Sequence, residues 1–120
     1  MLSEKQHGLL RDILDSAKVI KTYLQGITEA AFMQNIEKQD AVLRRFEIIG
    51  EAASRLAPET RDMFPSLPFR QLRGMRNIIA HDYGDVDIEQ VWRTASGSDL
   101  DVLIASLQSF FDSVEGSCEI

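Results

Sequence analysis

The spacing of the apolar residues is the strongest constraint on what this chain can fold into. In "EKQHGLLRDILDSAKVIKTYL", Leu9, Leu10, Ile13, Leu14, Ala17, Ile20 and Leu24 recur every three or four residues. That period places them on one face of an α-helix, where a strand would need strict alternation. Ser3 followed by Gln6 has the pattern of a capping box, and Gly26 is a plausible stop. Thr28 is placed to cap a short helical segment, "EAAFMQN". A second long helix is expected from about Glu37 to Leu56, with Val42, Phe46, Ile49, Ala53 and Leu56 as its apolar face. Pro58 ends it and can begin another turn, because proline is tolerated at the first helical position. "FPSLP" is a connector, and Pro68 starts a helix through "FRQLRGMRNIIAH" that Gly84 terminates. Asp87 with Gln90 marks the next start, at "IEQVW". Ser96-Gly97-Ser98 kinks or divides this last section before "DLDVLIASLQSFFDSV".

No alternating strand pattern, internal repeat or low-complexity linker interrupts this series. The expected fold class is all-α, an up-down bundle of four to five helices with no sheet. It should form one domain over residues 1–120, with a core at about 4–114 and a frayed tail at 115–120.

Composition narrows the function classes. No apolar run approaches the roughly 20 residues needed to span a bilayer. The opening "MLSEKQHGLL" lacks the basic start and apolar block of a signal peptide, and the single cysteine, Cys118, has no intrachain partner. These features suggest a cytoplasmic protein with no membrane association, no disulfide and no cysteine metal site. Cys118 is read as an inert tail thiol. The net charge of −6, from 13 basic and 19 acidic residues, argues against a non-specific nucleic-acid coat. It leaves room for a local basic site, so the position of the arginines matters more than their total.

That directs attention to "RNIIAHDY", Arg76 to Tyr83, which holds one of only two histidines. On a helix from Pro68 to His81, Arg70, Arg73 and Arg76 form a drifting stripe, while Leu72, Met75, Ile78 and Ile79 supply the apolar side. Arg76 and His81 are five residues apart, about 140° around a regular helix, so they do not share a face. Local unwinding near His81, or a two-fold axis beside this helix, would bring them into one cleft. From spacing alone each residue also has a structural reading. His81 can satisfy carbonyls at a helix end, Arg76 can pair with a carboxylate, and Asn77 can cap the helix. Tyr83 can be a half-buried aromatic with a wet hydroxyl. Arg70 and Arg73 can be solvated face or RNA contacts. His7 has no partner pattern, and Trp92 with Phe110 and Phe111 reads as core or dimer interface.

"MRNIIAHDYGDVDIEQVW" resembles the HepT-like branch of the HEPN superfamily, small helical toxins paired with minimal nucleotidyltransferase antitoxins. The signature is arginine, four to six residues, then histidine, with a tyrosine two residues later in this branch; Arg76, His81 and Tyr83 match it. Asn77 is the polar residue favoured after the arginine. "DAVLRRFEIIGEAASRLAPE", Asp40 to Glu59, is similar to the family's second helix, so the resemblance runs from about Leu9 to Phe111. It implies a homodimeric, metal-independent endoribonuclease without a cofactor. Its catalytic residues would be Arg76, His81 and Asn77; the arginine stripe, rather than the resemblance, offers Arg70 and Arg73 as RNA contacts, with solvated face the more ordinary reading of both. The resemblance also implies that the partner nucleotidyltransferase silences the toxin by transferring AMP to Tyr83. The sequence has no carboxylate or cysteine cluster with metal-ligand spacing, which agrees with a metal-free route. The competing expectation is a non-catalytic module that docks a nucleotidyltransferase or holds a nucleotide.

Overall fold

The computed structural model describes residues 2–70, 72 and 87–117, with side chains to residue 114. The described residues contain six helices and no strand: α1 (Glu4–Leu24), α2 (Glu29–Met33), α3 (Ile36–Ser54), α4 (Pro58–Asp62), α5 (Ile88–Ser96) and α6 (Ser98–Ser117). This is the all-helical bundle that the periodicity predicts. α2 and α4 are five-residue turns between the longer helices.

Local chemistry explains most of the boundaries. Ser3 accepts the Gln6 N–H at 3.2 Å, Thr28 the Ala31 N–H at 3.1 Å and Asn35 the Lys38 N–H at 3.0 Å. Each side chain satisfies one of the orphan donors of a helix N-terminus. Gly26 has φ 74°, a left-handed conformation that ends α1 and strains any residue with a Cβ. Gly97 separates α5 from α6, so the Ser96-Gly97-Ser98 segment divides the helices. A Cβ on Gly97 would lie 2.7 Å from the Arg93 carbonyl oxygen. Pro68, Phe69, Arg70 and Leu72 show the expected new start, with Leu72 N–H donating to the Pro68 carbonyl at 3.0 Å.

The capping box at α1 is only half formed. Ser3 makes its arm, but Gln6 does not turn back to Ser3. Its Oε1 instead accepts the Ala57 N–H at 2.9 Å, across 51 residues of chain. Ala57 is the N-cap of α4 and has no side-chain cap of its own. The tertiary bond wins because it satisfies a part-buried donor, whereas the Ser3 N–H lies on an exposed residue.

α1 is the central helix. Leu10, Ile13, Leu14, Ala17 and Ile20 on it are fully buried, and it packs on α3, α5 and α6, most extensively on α3. Three contacts fix the directions. Gln6 at the start of α1 meets Ala57 just past the end of α3, and His7 meets Phe110 and Phe111 late in α6. Lys21, at the other end of α1, bonds the Gly97 carbonyl and Asp101 at the start of α6. α1 therefore runs antiparallel to both α3 and α6. Phe46, Ile49, Leu103 and Leu107 close a core to which Leu67, Phe69 and Leu72 also belong. Among the described residues, no helix is long and apolar enough to cross a membrane.

Candidate functional site

The described structure brackets the motif. Arg73, Arg76, Asn77, His81 and Tyr83 lie outside the described residues, as do Asp82, Gly84 and Asp85. Of the predicted site residues only Arg70 is described; it is exposed on the turn that follows Pro68.

Two anchors hold the ends of that segment. On the N-terminal side Phe69 and Leu72 are 6% and 5% exposed and belong to the core. On the C-terminal side Asp87 caps α5, and Val91 and Ala95 carry that helix into the core. Both flanks of the motif are thus buried helical elements.

The structure also brings together residues that the sequence pattern did not connect. At the end of the bundle where α1 begins and α6 finishes, His7 lies 5.7 Å from the Phe110 ring and 6.1 Å from Phe111. Arg11 stacks over Phe111 at 4.0 Å, and Phe64 meets Phe110 edge-on at 5.5 Å. His7 thus belongs to an aromatic cluster. The i, i+4 spacing of His7 and Arg11 was the available signal, but nothing local indicated that α6 would return to this end. Trp92, half-buried, packs on Phe32 at 5.3 Å. A cleft of about 360 Å³ between α1 and α3 is lined by Leu9, Asp12, Arg44, Glu47, Ile48, Glu51, Ala52 and Arg55. Its acids outnumber its bases, which does not suit a phosphate backbone.

Residues 13–110 match the family described as "Ribonuclease HepT-like". Arg76, His81 and Tyr83 fall inside that span. A Methanocaldococcus jannaschii protein named "Putative RNase MJ1216" is 35% identical over 88 residues, which is 73% of this chain and 73% of that protein. "Probable ribonuclease HepT" of Thermococcus cleftensis is 32% identical over 85 residues, 71% of this chain and 77% of that protein. A longer Methanocaldococcus jannaschii protein, "Gamma-glutamylcyclotransferase and putative RNase MJ0434", is 39% identical over 83 residues, 69% of this chain and 37% of its own length. No solved structure matches the chain at a significant level.

Proposed function

Because the chain belongs to the ribonuclease HepT-like family, we propose that it is a metal-independent endoribonuclease toxin acting through Arg76, Asn77 and His81, with Tyr83 as its off-switch. The observation that carries this reading is the family match over residues 13–110, with the Arg76, His81, Tyr83 pattern inside it.

The chemistry suits these residue types. The ribose 2′-hydroxyl attacks the adjacent phosphorus, the bond from phosphorus to the 5′-oxygen breaks, and a 2′,3′-cyclic phosphate remains. One proton leaves the 2′-hydroxyl and one reaches the departing 5′-oxygen. A histidine can transfer both near neutral pH, which is the role given to His81. Arg76 presents paired N–H donors to the phosphate oxygens as negative charge builds in the transition state. Asn77 orients the imidazole or holds the phosphate. A homodimer with its cleft at a two-fold axis would gather these groups from two copies, and Arg70 and Arg73 would extend the basic surface toward RNA. A cytoplasmic setting suits an RNA-cleaving toxin.

The switch is a group transfer catalysed by a partner nucleotidyltransferase. The Tyr83 phenolic oxygen attacks the α-phosphorus of ATP and loses its proton; the α–β anhydride bond breaks and pyrophosphate leaves. The added nucleotide blocks the cleft by its bulk and repels substrate phosphate by its charge. His81→Ala and Arg76→Ala should each abolish cleavage of a labelled single-stranded RNA while keeping the wild-type helical circular dichroism. Chelator should leave wild-type cleavage intact. Retained cleavage in both variants would overturn the mechanism. The acidic net charge of −6 favours a second reading, a non-catalytic module that displays Tyr83 to the nucleotidyltransferase. AMP on Tyr83 with no RNA cleavage by the unmodified protein would select it.

A further inference from the structure

We propose that the outward face of α3 is the surface on which a second copy of this chain docks, with the two α3 helices antiparallel about a two-fold axis between Glu47 and Ile48. α3 buries Val42, Phe46, Ile49 and Ala53 against the rest of the bundle. Its other side carries Asp40, Arg44, Glu47, Ile48, Glu51 and Arg55, which at about 100° per residue fall within an arc of about 100°. Asp40, Arg44 and Arg55 are exposed, and Glu47, Ile48 and Glu51 are half-buried. All but Asp40 line the open cleft of about 360 Å³ against α1, whose floor is Leu9 and Ala52. Ile36, 71% exposed, begins the same face of α3.

The order of charge on that face selects the occupant. Arg44 and Glu51 are centred on the same point of the helix as Asp40 and Arg55, midway between Glu47 and Ile48. A two-fold axis through that point sets each Arg44 opposite the second copy's Glu51, and each Asp40 opposite its Arg55. Slipping the register by one turn brings Asp40 opposite Glu51 in one direction and Arg44 opposite Arg55 in the other. Like charges facing across an interface are strongly unfavourable, so one register is selected. At the axis the two Glu47 carboxylates come together, each beside its own Arg44 at 3.6 Å. Asp12 on α1 adds a carboxylate to the cleft that receives the second copy's Arg44. Exposed ion pairs add little affinity in water. These charges therefore fix register and partner, while Ile48 and the cleft floor supply the apolar contact.

This face takes from the functional reading only the expectation that the chain pairs with itself, and sedimentation tests it without RNA. Full-length wild type, Arg44→Glu and Glu51→Arg are compared by sedimentation equilibrium at low salt, with circular dichroism checking the helical fold of each. The two variants are also run as an equimolar mixture. Wild type should be a dimer. Each variant alone places like charges in both central pairs and should dissociate at least about a hundredfold more readily. In the mixture each chain meets the opposite charge on the other, and wild-type affinity should return. Asp40→Arg mixed with Arg55→Asp acts on the outer pairs and carries the same expectation. Single variants that dimerise like wild type, or mixtures that stay monomeric, overturn the proposal. A monomeric wild type also overturns it and leaves the face to a different protein. Variants that stay dimeric and still cleave RNA move the dimer to another face while the ribonuclease reading stands. If the mixtures behave as expected but wild type cleaves no RNA, that reading fails and the α3 face stands.

Discussion

Replacing Gln6 with alanine separates two accounts of the start of the bundle. If Ser3 and Gln6 formed a reciprocal capping box, removing either would weaken the same local motif, and the two losses would be coupled. In the structure they serve different helices. Ser3 caps α1, whereas Gln6 Oε1 holds the part-buried Ala57 N–H at 2.9 Å. Ser3→Ala should therefore cost about 0.5–1 kcal/mol, the usual loss for an exposed cap. Gln6→Ala leaves a part-buried donor unpaired and should cost about 1.5 kcal/mol, within the roughly 1–3 kcal/mol range for such groups. With an unfolding entropy of about 2.1 cal/mol/K per residue over 120 residues, that is a fall in Tm of about 6 °C. Urea and thermal unfolding at one fixed protein concentration, followed by circular dichroism, give the single and double variants and hence the coupling energy. The expectation is additivity within about 0.3–0.5 kcal/mol. A larger coupling, or a Gln6→Ala variant as stable as wild type, would refute the reasoning.

Two other perturbations test how neighbouring elements are held. Gly26→Ala should destabilise by about 1–2 kcal/mol in urea unfolding, because φ 74° penalises a Cβ although nothing lies within 4 Å of it. Gly26→Asn should lose less, since asparagine visits that region more readily. Gln39→Ala removes the amide that donates to the Phe32 and Met33 carbonyls at 3.0 and 3.1 Å. α2 should then loosen from α3, and fluorescence from the only tryptophan, Trp92, should shift to the red as its Phe32 contact weakens.

For the site, what was legible in the order of residues was the family: the Arg76, His81 and Tyr83 pattern lies inside the span that matches it. The supports of the site were only partly legible. Asp87 was readable as a helix start, since an N-cap bonds to the N–H groups two and three residues ahead. That Val91 and Ala95 anchor the helix behind it, and that Leu72 is part of the core, follows from burial.

The sequence alone determined the helical class, the buried faces of α1 and α3 and the caps at Ser3, Thr28 and Asp87. A 3.6-residue period and a side chain three residues from its donor are local properties of the chain. Only the tertiary structure decided that α1 lies between α3 and α6 and antiparallel to both. It also decided that Gln6 leaves its own helix for Ala57, that Gln39 clamps the end of α2, and that His7 and Arg11 meet Phe110 and Phe111. The physical reason is that burial of apolar surface is non-directional, so a helical stripe specifies that it must be covered without specifying by what. A polar side chain then takes whichever buried donor or acceptor that packing leaves within reach.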